Sequence, residues 1–378
     1  MKIRALYTAY MMVLIPFGGM HLQSSDLSDS ILKIKQVGQE GQGNESAMEA
    51  WRDLSDSKIT DLPEIIKGLN NASPLAGNWI RLASDVIVSR AQDSGNSEGF
   101  PSDSLTLLVM DKANSPEARE LAYRVLSEID SDYANKMVGL FLDDPSLPLR
   151  RLAIGQEIDK AQILKTAQQI DSAKTLFSST LSKARDIDQI ESIITELNGL
   201  GENVTVAETF GFLNDWHVIG PFHNDGRMGF MEEFAPEVDP DLKKTHTGKN
   251  GKVKWKKFTS KNPYGKFDFN EAIGPVKKVT AYASRQFIVD SDLDVQLRLG
   301  CKNAWKIWLN GKYIFGRDEY HRGSRIDQYS FPVKLKKGAN HILLKICQNE
   351  QMETWTREWE FQFRITDSLG KPISESKN

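Results

Sequence analysis

Trp305-Lys306-Ile307-Trp308-Leu309-Asn310-Gly311-Lys312-Tyr313-Ile314-Phe315 decides how the C-terminal half of this chain is read. Both central residues of a type I′ turn need positive φ, which Asn tolerates and Gly adopts freely, and such a turn matches the twist of the strands it joins. Asn310-Gly311 therefore predicts a two-residue β-hairpin. In its first strand Trp305, Ile307 and Leu309 share one face while Lys306, Trp308 and Asn310 share the other, because side chains alternate along a strand. Residues 358–365 repeat the pattern. Trp359, Phe361, Phe363 and Ile365 oppose Glu358, Glu360, Gln362 and Arg364, as in an antiparallel strand with one face buried and one solvated.

Working outward, Trp216-His217-Val218-Ile219-Gly220-Pro221-Phe222 precedes a glycine-containing loop, Phe234-Ala235-Pro236-Glu237 and Gly251-Lys252-Val253-Lys254-Trp255. The hairpin then follows, and after it Leu335-Lys336-Lys337-Gly338-Ala339-Asn340-His341-Ile342-Leu343-Leu344-Lys345. This succession resembles bacterial extracellular β-sandwich modules, the jelly rolls of the galactose-binding or PA14-like kind, over about residues 209–371. The resemblance implies carbohydrate recognition. It also implies an acidic, calcium-binding or sugar-binding loop before the hairpin, where this chain instead has Gly300-Cys301-Lys302-Asn303. Asp290, Asp292 and Asp294 lie nearby and offer calcium some of the several oxygen ligands it needs, but alternating acids before a strand are more often a solvated turn. No resident cofactor or metal is expected.

The N-terminal half has helical spacing, for example Leu121, Val125 and Ile129 at steps of four. Three segments place Ser and Pro before a helix: Ser73-Pro74, Ser115-Pro116 and Ser146-Leu147-Pro148. Pro is tolerated there because its missing N–H has no helical partner in the first turn. The second and third superpose Arg119 on Arg150, Leu121 on Leu152 and Ala122 on Ala153, and at this point the chain resembles HEAT-like repeats. An irregular helical bundle is the competing reading. The expected fold class is thus α then β: an N-terminal HEAT-like helical domain followed by an antiparallel jelly-roll β-sandwich.

With 378 residues, two domains are expected. Lys2 and Arg4 precede a mostly apolar run over residues 5–17, the order of an export signal and too short to span a membrane comfortably. The expected organisation is a signal peptide over 1–25, a flexible lead-in over 26–46, the helical domain over 47–204, the sandwich over 205–371 and a tail over 372–378. No transmembrane span is expected after the signal, so the protein is read as exported to the periplasm, the cell surface or the medium. Cys301 is in phase with Leu297 and Leu299, whereas Cys347 is out of phase with Leu344 and Ile346; the two should face apart and remain thiols.

A formal charge of −3 gives no global attraction to nucleic acid. Residues 243–266, however, contain nine lysines and no acid. Lys252, Lys254, Lys256 and Lys257, beside Trp255, are candidates for holding an anionic polymer; lysines guarding an exposed sheet edge are the alternative. The loop after the hairpin carries Arg317, Asp318, Tyr320, His321 and Arg325, and with Trp308 and Trp355 it forms the candidate glycan site, since binding residues favour loops on a rigid scaffold. The competing readings are a solvated connection and, for Trp308, plain packing. The six histidines show no metal-binding or protease spacing. The best functional expectation is an exported, non-catalytic protein recognising a glycan or envelope polysaccharide through the sandwich. Alternatives are a carbohydrate-active hydrolase or its accessory subunit, and a scaffold holding another protein through the helical half.

Overall fold

A computed structural model describes residues 24–94 and 99–376. The chain forms a helical N-terminal half followed by antiparallel sheets. It divides into two compact units between Leu149 and Arg150. The change from helix to strand comes later, between Phe210 and Asp215.

In the first unit the helices are α1 (Ser24–Lys35), α2 (Asn44–Ser55), α3 (Leu62–Lys67), α4 (Pro74–Asp93), α5 (Ser102–Met110), α6 (Pro116–Ile129) and α7 (Ser131–Val138). The Ser-Pro starts behave as helix N-termini. Ser73 and Ser115 each accept a hydrogen bond from an N–H of the first turn, Ala76 and Ala118, at 3.2 Å. The expected export signal lies, up to Gln23, outside the described residues. The expected flexible lead-in is corrected: α1 occupies much of it, and Leu27, Ile31 and Ile34 are buried. Their spacing of four and three is that of a helix face, which the Ser-, Gly- and Gln-rich composition of the segment disguises.

Arg119 of α6 is fully buried, and its guanidinium grips Asp144 through two bonds of 2.6 and 2.7 Å while Nε donates to the Val109 carbonyl. Arg150, its match in sequence, donates to the Lys183 carbonyl within the second unit.

The second unit holds α8 (Leu147–Thr166) from Arg150 onward, α9 (Ile170–Lys183), α10 (Ile187–Gly199), α11 (Val206–Phe210) and the strands. One sheet has the order β4-β1-β6-β11-β8-β9, with β1 (Asp215–His223), β4 (Lys256–Thr259), β6 (Val279–Val289), β8 (Ala304–Leu309), β9 (Lys312–Arg317) and β11 (Gly338–Gln348). The other is β10-β7-β12-β5, with β5 (Phe267–Asp268), β7 (Leu293–Cys301), β10 (Tyr329–Leu335) and β12 (Glu360–Thr366). A short ribbon pairs β2 (Thr245–Gly248) with β3 (Gly251–Lys254).

The two larger sheets share one core. Trp216 of β1 meets Phe361 and Phe363 of β12 edge-on at 5.4 and 5.6 Å, and Trp305 of β8 lies 4.9 Å from Tyr329 of β10. The hairpin turns at Asn310 and Gly311 with φ of 52° and 79°, as the sequence predicts. Asn310 also fastens the turn to β11, donating to the His341 carbonyl at 2.7 Å and accepting from the His341 N–H at 2.8 Å.

Trp359 is wholly buried, stacked on Phe269 at 4.9 Å. Trp359→Ala is expected to destabilise the sandwich by about 3–5 kcal/mol through lost contacts and the cavity left behind, read as a lowered urea midpoint; a shift worth under about 1 kcal/mol would contradict this packing.

The opposite face of β12 differs from expectation. Glu360, Gln362 and Arg364 are buried as well. Arg364 lies over the Phe210 ring of α11 at 4.9 Å and binds Asp327, while Glu360 takes Lys266 at 2.6 Å. The polar face is therefore a covered ion-pair layer, not a solvated one. The expected tail is likewise docked as far as Ser376: Ile373 donates to the Ile365 carbonyl, Ser376 donates to the Ile288 carbonyl, and Glu375 pairs with Arg285 at 2.6 Å.

Candidate functional site

The loop between β9 and β10 divides into an inward and an outward part. Tyr320 turns inward. Its hydroxyl accepts from Asn224 at 3.0 Å, its ring packs on Phe230, Ala304 and Cys347, and Arg227 covers it at 5.4 Å. Burial raises its phenol pKa. His321 follows, its N–H donating to the Lys302 carbonyl at 2.6 Å, with its ring edge-on to Trp355 at 5.2 Å; burial lowers its pKa. Tyr320 and His321 thus anchor the loop. Asp318, its pKa raised by burial, lies in the same stretch, and Trp355 remains 58% exposed.

The outward part carries Arg317, Arg322 and Arg325 around an open cleft of about 410 Å³ beside Tyr329. Arg317 and Arg322 both reach Glu319 through Nε at 3.4 Å. Among the described residues neither of the two arginines pairs with another acid, and Arg325 has no ion-pair partner. Arg317 also lies over the Tyr329 ring at 5.9 Å. Sequence reading named Arg317 and Arg325; Arg322 and Tyr329 join them because the loop folds back toward β10.

Trp308 is elsewhere. It points to the outer face of the six-stranded sheet, half-buried, against Val253, Leu343 and the edge of Tyr313 at 5.9 Å. Ala304, beside Tyr320, is four residues back along β8, about 13 Å at strand rise. The structure therefore does not bring Trp308 into the loop cluster.

Of the lysine-rich run, Lys244, Lys249 and Lys266 pair with Asp239, Asp225 and Glu360, acids outside the run. Lys252, Lys254, Lys256 and Lys257 are exposed and have no ion pair among the described residues. Lys252 and Lys254 share one face of the β2–β3 ribbon. Lys256 and Lys257 sit on edge strand β4, pointing to opposite faces of the sheet. The four are thus split between ribbon and edge.

A second cleft, about 330 Å³, opens on the outer face of the six-stranded sheet near that edge. His217, Ser284, Gln286 and His341 line it, together with Lys257, the Pro240–Leu242 turn and Arg285 with its two acids. Ser284 Oγ and His341 Nε2 are 2.8 Å apart. This pair is not a catalytic dyad: Ser284 is buried in mid-strand, no carboxylate orients His341 Nδ1 among the described residues, and the neighbouring N–H groups are committed to the sheet. The two carboxylates of the cleft, Asp215 and Glu375, are both tied to Arg285. Sequence reading missed this cleft. Its signal was present only as polar residues alternating with core ones.

Cys301 lies in the inter-sheet core and Cys347 on the outer face, as their phases imply. Burial pushes their thiols up to about 12 and about 11, which makes both inert as nucleophiles. Among the described residues no three His, Cys, Asp or Glu side chains gather as a metal site requires. Asp292 caps the Lys337 N–H at 2.9 Å, the bonding of a turn. No described helix is long and apolar enough to cross a membrane.

No family model and no curated protein matches this chain. Among solved structures it is similar to a β-glucuronidase from an uncultured Clostridium sp., at 12% identity and a TM-score of 0.24, over 42% of this chain and 29% of that one. It is also similar to a β-glucosidase from Kluyveromyces marxianus, at 10% identity and 0.26, over 72% of this chain and 36% of that one. The chain thus spans about a third of the length of those proteins. A likeness this remote carries no argument about activity.

Proposed function

We propose that this is an exported, non-catalytic binding protein whose β-sandwich holds an acidic polysaccharide of the cell envelope. The observation that carries the reading is the cleft where Arg317, Arg322 and Arg325 outnumber Glu319 beside Tyr329. Planar guanidinium groups meet carboxylate or sulfate through paired N–H donors, and an aromatic ring next to them gives a sugar ring an apolar wall. Lys252, Lys254 and Lys256 add positive charge elsewhere on the same unit, while Lys257 borders the outer-face cleft. The Lys2/Arg4 and apolar N-terminal pattern supports export.

A hydrolase would need one carboxyl holding a proton and a second one free to act. In the outer-face cleft both acids are ion-paired to one arginine, so the binding reading is preferred. A second reading, protein binding through the helical half, is favoured by one feature: Leu75, Leu82 and Val86 of α4 are exposed along one face, with half-buried Trp79 among them.

The test is a titration of the full chain with polygalacturonate and with heparin over a salt series. Binding should weaken with salt, and Arg317→Ala or Arg325→Ala should reduce it roughly tenfold or more, the worth of a charged hydrogen-bonded contact. Indifference to both substitutions, or no polyanion bound at low salt, would sink the proposal.

A further inference from the structure

We infer that the outer-face cleft beside β4 is a second glycan subsite, built for the hydroxyls of a neutral sugar, and it rests on the glycan-binding function proposed above. The outer face of the six-stranded sheet is unevenly covered. Toward one end Phe230, Phe234 and Trp255 close over Ile219, Phe222, Tyr282 and Cys347. Toward the other end, on the same face, the covering chain stops short and leaves the cleft of about 330 Å³.

Register explains how four polar side chains meet there. His217 of β1 pairs with Ser284 of β6, and Gln286 of β6 pairs with His341 of β11. Lys257 pairs with His217 from the edge strand. All five side chains point outward, opposite the core residues Trp216, Ala283, Phe287 and Ile342.

Their hydrogen-bonding capacity is largely unspent. Ser284 and His341 bond each other at 2.8 Å, which fixes the imidazole and leaves its Nδ1 available. His217, Gln286 and Lys257 make no hydrogen bond or ion pair with protein among the described residues. Burial lowers the His341 pKa below its usual 6.5, so that ring is neutral near pH 7, and with Nε2 bonded to Ser284 it offers a ligand one nitrogen, donor or acceptor according to the tautomer. A serine hydroxyl, a primary amide and a neutral imidazole each both give and take hydrogen bonds, as adjacent sugar hydroxyls do.

Charge points the same way. Asp215 and Glu375 outnumber Arg285, and Lys257 restores neutrality, so the cleft has no net pull on a polyanion. Pro240 and Leu242 supply an apolar wall for the C–H face of a ring. A concave site with a few convergent polar groups and an apolar side is the ordinary form of a small-ligand site. This cleft and the arginine cleft therefore differ in ligand chemistry: one takes the acid groups of a mixed polysaccharide, the other its neutral units.

The test is calorimetric titration of the full-length protein with cello-, xylo-, manno- and maltohexaose at high salt, which suppresses contacts of the arginine cleft. At least one should bind. Gln286→Ala and His217→Ala should each weaken that binding roughly two- to tenfold, the worth of one neutral hydrogen bond, and Arg325→Ala should leave it unchanged. Gln286 is exposed, so its variant keeps the test valid where His217→Ala disturbs folding. Failure of all four sugars to bind, or binding indifferent to both cleft substitutions, would overturn the inference. Continued binding of polygalacturonate in that case would leave the proposed function standing, whereas loss of both would sink the two together.

Discussion

Asp144→Ala is expected to destabilise the helical unit by about 3–5 kcal/mol, the cost of stranding one member of a buried ion pair. Both side chains are 2% exposed, so water cannot replace the lost partner of Arg119. Among the described residues the guanidinium would keep its Nε bond to the Val109 carbonyl and no other. Burial pushes the Asp144 carboxyl up, but the bonds from Arg119 and the Ser146 N–H outweigh it and set the pKa below the ordinary 3.8. The sign follows from linkage: a depressed folded-state pKa gives stability that is present above the unfolded value and lost as pH falls through the folded one. Wild type should therefore lose this contribution below about pH 3.8, and the variant should lack that part of the acid dependence. Urea unfolding followed by helical circular dichroism at pH 7 and pH 3 reads both. A change under about 1 kcal/mol at pH 7 would mean the pair contributes no more than an exposed one.

What could be read from the sequence follows from which interactions are local. The Asn310-Gly311 turn needs only two residues with positive φ, and the alternation around Trp305 and Trp359 needs only the pleat of a strand; both are found. Which second layer covers a face is not local. The polar side of β12 reads as solvated because nothing in residues 358–365 tells that Phe210, Asp327 and Lys266 will close over it. The lead-in differs for another reason: Leu27, Ile31 and Ile34 carry a helical period inside a segment whose polar composition suggests a flexible one.

The candidate site shows the same division. A loop dense in Arg, Tyr and His marks a place where something is arranged, but not which side chains face out. Tyr320, a residue of the candidate glycan loop, is the anchor bonded to Asn224, while Arg322 and Tyr329 line the cleft. The outer-face cleft depends on cross-strand register between residues as distant as His217, Ser284 and His341, which no short window contains. Trp308 and Lys257 were singled out separately, and register places both on that one outer face.

Lys345→Met should cost about 3–5 kcal/mol, again through a stranded charge, yet the surroundings of this lysine make the outcome more informative. Lys345 is wholly buried on the outer face of β11. Its ammonium donates to the Glu232 carbonyl at 2.6 Å and to Glu237 at 2.7 Å, and it lies over the Phe234 ring at 5.1 Å. Glu237 in turn accepts from the Tyr282 hydroxyl. Burial pulls the ammonium pKa down and Glu237 opposes it, so its partners support the charge that burial disfavours. Methionine keeps the volume and removes the charge, which isolates the electrostatic part. Adding Glu237→Gln removes the stranded carboxylate while still accepting from Tyr282. The double variant K345M/E237Q should then recover a large part of the loss, measured by urea unfolding in a double-mutant cycle. K345M within about 1 kcal/mol of wild type would refute the role of Lys345 as a strut. A double variant no more stable than K345M would assign the cost to the lost bonds with the backbone carbonyls, because the carboxylate would then have survived without its cation.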